Sequence, residues 1–244
     1  DAVASYMGTP VEADKWQLDA VVGGAQKCLS IPSGITPITF NDRFAEEINQ
    51  RKRVEQGVRT ALDTNGDTFI TSNYLDLTQL QDYWSPRRLN HHTEATVADY
   101  ALNEGLRLAL QEGLDARFAR HLTVHRALNA GLDAMGLTIY HEGDHDMPMV
   151  TCVQIPTGLD GDTFRSTLLK NFGVEISSSF GSLQGKIWRI GTMGYSAQRL
   201  FVTNFVALFG AALLQAGVSI DLKAGLDATE AAFKLKTLQK TLEV

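Results

Sequence analysis

The chain has 244 residues, of which 44% are hydrophobic and 20% charged, enough to bury one large core or two modest ones, which excludes a disordered tail or a disulfide miniprotein. Its 22 basic and 28 acidic side chains give a formal charge of −6, which argues against a nucleic-acid backbone or anionic lipid as the main partner and leaves room for a small anion held by a few placed cations. Two cysteines, Cys28 and Cys152, lack Cys-x-x-Cys spacing, so neither a disulfide framework nor a zinc ribbon is indicated and a reducing, cytoplasmic compartment is expected.

The chain opens on Asp-Ala-Val-Ala-Ser-Tyr, with no initiator methionine and no signal-peptide pattern, and reads as the interior of a longer sequence. Up to Phe40, short apolar pieces cut by Gly and Pro, among them Asp19-Ala-Val-Val-Gly-Gly-Ala and Gly34-Ile-Thr-Pro-Ile-Thr-Phe, predict buried strands. Asn41 or Asp42 can cap a helix running to Arg51-Lys-Arg, with acids early and bases late as the helix dipole prefers. Residues 58 to 92 read as polar and irregular.

A helix is predicted from Glu94 to Glu112, with Leu102, Leu106, Ala109 and Leu110 on one face and Gly113 as its stop. A second runs from Leu114 to Met135. Strands are then predicted at Leu137-Thr-Ile-Tyr and Met149-Val-Thr-Cys-Val-Gln-Ile, a helix over Asp160 to Phe172, and strands over Val174 to Ser178 and Ile187 to Gly191. Phe201, Phe205, Leu208, Phe209 and Ala212 form the stripe of another helix, and Leu222 to Leu242 the last. The longest nearly apolar stretch, Phe205 to Leu214, has ten residues, against about 20 for a membrane-spanning helix, so no membrane span is expected. The pattern divides into residues 1–112, too poor in strands to close a core unaided, and residues 113–244, an α+β unit with one small sheet.

Two readings stand for Lys27, at the end of the apolar Gly23-Gly-Ala-Gln-Lys-Cys-Leu segment. A partly buried lysine loses charge to desolvation and becomes an imine-forming nucleophile; a strand-end lysine can also simply extend to solvent. Asp1 is likewise either an ordinary aspartate or the acid that keeps a pyridine nitrogen protonated. His121 and His125 stand four apart, but Leu122 replaces the Glu of a zinc helix, and the pair reads as an exposed helix face. His141-Glu-Gly-Asp-His-Asp reads as a polar loop without ligand geometry. Asp63-Thr-Asn-Gly-Asp fails as a calcium loop, with Gly66 at the fourth place and Tyr74 at the twelfth.

Asp1-Ala-Val-Ala-Ser, Gly8-Thr-Pro, Asp14-Lys-Trp-Gln-Leu-Asp-Ala, Gly24-Ala-Gln-Lys-Cys-Leu, Pro32-Ser-Gly, His91-His-Thr and Trp188-Arg-Ile-Gly occur in the order seen in the class V, fold-type I aminotransferases of the alanine-glyoxylate group, which the chain resembles along essentially its whole length. Within that group it is most similar to the bacterial (S)-ureidoglycine-glyoxylate aminotransferases. The resemblance implies an α/β fold: the end of a large mixed-sheet cofactor domain over 1–112 and a smaller C-terminal α+β domain over 113–244. It also implies a pyridoxal 5′-phosphate enzyme, a homodimer with composite active sites, in which an amino donor and glyoxylate exchange an amino group to give glycine during purine breakdown.

By the same resemblance, Lys27 is the Schiff-base lysine and Asp1 the partner of the pyridine nitrogen, while Val3 contacts one ring face. Gln26 contacts the phosphate, and Thr93 holds the phosphate across the dimer interface. Arg189 grips the substrate carboxylate, for which a planar guanidinium is the natural partner. Asn90 stands where alanine-glyoxylate enzymes have Tyr; its amide can pair with a ureido group, or it caps the helix near Glu94. The family's glycine-rich phosphate-binding helix start and the aromatic residue stacked on the ring belong to a portion upstream of this chain.

Two other activities remain open on the sequence: alanine- or serine-glyoxylate transfer, and a non-catalytic dimerisation or binding fragment, against which the joint presence of Lys27, Asp1 and Arg189 argues. Cysteine desulfuration requires a mobile catalytic cysteine, and neither Cys28 beside the lysine nor Cys152 in a strand is placed for it.

Overall fold

The structure, a computed structural model, describes residues 1–52, 70, 72–141 and 146–242, with side chains through Lys234. Asp63-Thr-Asn-Gly-Asp and most of His141-Glu-Gly-Asp-His-Asp lie outside the described residues. Strand β1 (Ala20–Val22) pairs antiparallel with β2 (Ile38–Phe40), Val22 opposite Ile38. Ala2 adds a parallel bridge to Gly23, its N–H donating to Val22 O at 2.8 Å. Helix α1 (Asp42–Gln50) starts as expected: the Asn41 side chain accepts from the N–H of Phe44.

The region read as irregular contains a helix, α2 (Leu77–Trp84). Asp76 caps it, accepting from Thr78 N at 2.9 Å and Thr78 Oγ1 at 2.7 Å, with both residues fully buried. Helix α3 (Thr96–Glu112) and helix α4 (Leu114–Ala134) are separated by Gly113, whose φ of 83° is one an L side chain adopts only under strain. Leu102, Leu106 and Ala109 of α3 pack on Ala25 and Leu29, so α3 supports the Lys27 segment from beneath. A Cβ on Gly105 would stand 2.5 Å from Ile31 Cγ2, and the missing side chain lets that segment sit directly on the helix. Leu110, expected on the same stripe, is 76% exposed.

After α4 a three-stranded antiparallel sheet forms in the order β3–β5–β4, from β3 (Val150–Gln154), β4 (Ser177–Ser178) and β5 (Ile187–Gly191). The strand expected at 137–140 is reduced to one bridge, Ile139 to Val153, and β4 is shorter than the predicted Val174–Ser178 stretch. Helix α5 (Gly161–Phe172) is capped by Asp160, which accepts from Thr163 N, and stopped by Gly173 in the left-handed region at φ 67°. Helices α6 (Arg199–Gln215) and α7 (Leu222–Leu242) follow.

One face of the sheet meets these helices in the main core. Trp188 is fully buried, stacked on Phe164 at 4.8 Å and edge-on to Phe209 at 5.8 Å, with its indole N–H donating to Gly161 O. Helix α6 turns Val202, Val206, Phe209 and Leu213 into this core. Phe201 and Leu208, expected on the buried stripe, are partly exposed at 41% and 37%. The segment is apolar all round, so periodicity alone could not choose its face. Among the described residues no helix is long and apolar enough to cross a membrane.

Candidate active site

The bridge between Ala2 and Gly23 sets the opening residues alongside the segment that carries Lys27. Asp1 turns back on itself, one carboxylate oxygen accepting from the N–H of Val3 at 2.7 Å; its other oxygen has no partner among the described residues. Gly24 closes the distance between the two segments. A Cβ there would lie 2.6 Å from Val3 Cγ1 and 3.1 Å from Gln26 Oε1, so only glycine permits this approach. Asp1 and Val3 thereby stand on one segment, and Gln26 and Lys27 on the segment alongside it, as one candidate group. Asp1 and Gln26 are exposed, Val3 and Lys27 half-buried, and the Lys27 amine has no hydrogen bond or ion pair to another described residue.

This group suits pyridoxal phosphate: an acid for the ring nitrogen, an aliphatic surface for a flat ring, an amide for a phosphate, and an amine without a competing partner, around a cradle that a single methyl group would fill.

Arg189 lies on β5 opposite Cys152 of β3 and Ser177 of β4. Its neighbours in sequence, Trp188 and Ile190, are buried in the helical core. Its Nε donates to Ser178 O at 2.8 Å, and the guanidinium lies over the Phe180 ring at 5.0 Å. One edge of the fork is thus fixed, and among the described residues no carboxylate pairs with the other. That is the arrangement a carboxylate ligand needs.

Asn90 and Thr93 are exposed on the extended run between α2 and α3. The run is anchored by histidines: the His91 and His92 Nδ1 atoms are 2.9 Å apart, His91 Nε2 contacts Asn73 O at 2.8 Å, and Tyr74 stacks on His91. Asn90 caps nothing, since α3 begins at Thr96 after Ala95 without a side-chain cap. Among the described residues no polar contact joins Asn90 or Thr93 to the Lys27 group.

The histidine pair on α4 is corrected by the structure. His121 and His125 are buried, at 0% and 3% exposure, not an outer face. His125 Nε2 pairs with Asp146 Oδ2 at 2.5 Å, and its Nδ1 faces Thr151 Oγ1 at 3.3 Å. His121 lies in a polar network that sequence reading missed, formed with Glu112, Arg117 and Arg120 beneath Cys28 and Gly194. A signal was present, because Arg117, His121, Val124 and Leu128 share one helical face, but polar residue types conceal such a stripe. Among the described residues no group of three or more His, Cys, Asp or Glu could hold a metal ion.

Cys28 is fully buried, its Sγ 3.3 Å from Ala4 O. Burial pushes its thiol up to about 11, against smaller opposing effects of the Gly194 backbone and nearby cations. It is a packing residue here.

The sequence model of the family described as aminotransferase class-V matches residues 1–188. The chain is 54% identical over 239 residues to the (S)-ureidoglycine--glyoxylate transaminase of Bacillus subtilis strain 168, covering 95% of this chain and 58% of that protein. The crystal structure of ureidoglycine-glyoxylate aminotransferase from Bacillus subtilis matches with a TM-score of 0.85 at 50% identity, over 96% of this chain and 57% of that one. An alanine--glyoxylate aminotransferase from Nostoc sp. matches with a TM-score of 0.77 at 32% identity, over 87% and 52%. The chain thus spans just over half the length of these relatives.

Proposed function

The chain belongs to the class-V aminotransferase family, and from that footing we propose that it carries the lysine-bearing part of a pyridoxal phosphate-dependent transaminase that moves an amino group from (S)-ureidoglycine to glyoxylate, giving glycine. The observation that carries the reading is a Lys27 amine without a partner among the described residues, on a segment set alongside the one that bears Asp1 and Val3. The donor is supported by the 54% identity to a protein of that name and by Asn90 in place of a phenol.

Pyridoxal phosphate, when bound, supplies an electron sink for the charge that develops at the substrate α-carbon. Asp1 would hold a proton on the ring nitrogen through the carboxylate oxygen that Val3 does not engage. Val3 would cover one ring face, and Gln26 would donate to the phosphate. Lys27 would anchor the cofactor, and its amine would take and return the proton of the substrate α-carbon. Arg189 orients the substrate through its α-carboxylate, using the edge of the guanidinium that Ser178 does not occupy. Asn90 pairs with the ureido group, donating to its carbonyl and accepting from its nitrogen.

Thr93 acts from the neighbouring subunit of a homodimer, consistent with its exposure and its lack of contact with the Lys27 group of its own chain. Residues 1–112 belong to the cofactor domain and 113–244 form the small domain, with Gly113 as the border, and the enzyme works in the cytoplasm. The test is turnover of ureidoglycine with glyoxylate in the holoenzyme and in Lys27→Ala, where activity is expected to vanish while the fold persists.

A further inference from the structure

Three stretches of chain converge on Cys28, the residue after Lys27; one side chain holds two of them together, and its neighbours on the same helix hold the third. Arg117, only 6% exposed, donates from Nε to Met7 O at 3.0 Å, from Nη2 to Cys28 O, and from Nη1 to Glu112 at 2.7 Å. A single guanidinium therefore spans the segment leaving Asp1 and the segment bearing Lys27. The Cys28 Sγ contact to Ala4 O joins the same two segments.

The third stretch is the loop after β5, the strand of Arg189. Glu112 receives Arg120 as well as Arg117, and Arg120 donates to Gly194 O at 2.8 Å and Ala197 O at 2.7 Å. His121 accepts from the N–H of Gly194 and donates to Arg117 O. Tyr195 N donates to Ser30 Oγ at 2.7 Å. Gly194, at φ 55°, sits so close to the Lys27 segment that a Cβ would collide with Ser30 Oγ and lie 2.6 Å from Cys28 O.

Burying an arginine carries a desolvation cost that an apolar side chain of similar size avoids, and such replacements are often neutral or stabilising in proteins. Packing alone does not call for this residue. Geometry does: three acceptors on three segments need a rigid planar fork with several donors, which lysine lacks.

We propose that Arg117 is a positioning residue for Lys27, fixing the spacing between the Asp1–Met7 and Lys27–Ser30 segments and, through Glu112, Arg120 and Gly194, tying that spacing to the strand of Arg189. The inference rests on Lys27 as the cofactor lysine. A displacement of about 1 Å between groups that must meet in the reaction costs about 100-fold in rate.

The experiment compares the holoenzyme with Arg117→Lys and with Leu132→Ala, a truncation in the α4 core that lowers stability without touching the clamp. Arg117→Lys is expected to lower kcat about 100-fold while KM for glyoxylate stays within about three-fold, because Arg189 is retained. The pH at which the visible absorbance of the bound cofactor changes is expected to shift, since the Lys27 nitrogen moves relative to Asp1. Leu132→Ala should lower the melting temperature and leave kcat and the spectrum near wild type. Glu112→Gln, which keeps its shape and loosens the clamp from the far side, should lower kcat about 10-fold with a spectral shift in the same direction, and carries the test should Arg117→Lys not fold. The proposal is overturned if the clamp variants behave as Leu132→Ala does, or keep wild-type kcat and spectrum. Lys27→Ala run beside them separates the two failures: surviving turnover there overturns the site reading and the role of Arg117 with it, whereas lost turnover there with unaltered clamp variants overturns the role of Arg117 alone.

Discussion

The main-chain N–H of Gly194 donates to Nε2 of His121 across 2.9 Å, while Nδ1 of the same ring lies 2.8 Å from Arg117 O. One ring nitrogen accepts and the other donates, so the imidazole is neutral and its tautomer is set by its partners. It joins the loop behind Arg189 to the helix whose Arg117 holds the Cys28 carbonyl.

Burial, reinforced by the nearby Arg120 and Arg117, holds the His121 pKa below its ordinary value, against the Arg117 carbonyl and Glu112. Between that lowered value and the unfolded value of about 6.5, the unfolded chain binds more protons than the folded one. The stabilisation is therefore present above about pH 6.5 and lost as pH falls toward the folded-state value. Denaturation midpoints measured from pH 8 down to 5 should fall with acidification, and His121→Gln should flatten that slope. Equal slopes in the two proteins would contradict this role for His121.

Cys28 and Cys152 should differ in reactivity. With its thiol pushed up to about 11, Cys28 is about one part in a thousand thiolate at pH 8 and is closed to solvent. Cys152 is half-buried, its thiol raised by burial too. Iodoacetamide at pH 8, followed by peptide mass spectrometry, should label Cys152 first and Cys28 only on unfolding. Faster labelling of Cys28 would mean that the Lys27 segment opens far more readily than its clamp allows.

Arg189 and Asn90 should affect substrates differently. In the proposed reaction Arg189 meets a carboxylate common to all amino donors, so Arg189→Gln should weaken kcat/KM for ureidoglycine and alanine alike, by about 2 to 4 kcal/mol. In the same proposal Asn90 meets only what varies. A site built to hydrogen-bond a ureido group rejects an analogue that leaves its amide unpaired, so Asn90→Tyr should depress the constant for ureidoglycine far more than that for alanine, glyoxylate being the acceptor in both. An unchanged ratio would return the choice of donor to other residues.

The long elements were legible because several cues agreed. The Asp160 to Phe172 helix is found as α5 from Gly161 to Phe172 with Asp160 as its cap, Asn41 marked the start of α1, and Ile187–Gly191 stood out as a strand. Helix α2 escaped notice because eight residues form no stable helix alone; Asp76, Thr78 and the Lys52–Asp82 ion pair at 2.8 Å hold it in place. The proposed cofactor group around Lys27 came from ordered motifs, and the adjacency of its two segments from the Ala2–Gly23 bridge. The clamp was not legible: its members, Met7, Cys28, Glu112, Arg117 and Gly194, are scattered along the chain, and no local period reports a contact between distant segments.

The most direct test of the central claim is to treat the holoenzyme with borohydride, which fixes the cofactor to whichever amine carries it, and to locate the added mass by peptide mapping. The account predicts the pyridoxyl group on the peptide containing Lys27 and loss of the visible absorbance as it forms. The same mass on another lysine, or a protein incubated with pyridoxal phosphate that takes up none, would contradict it.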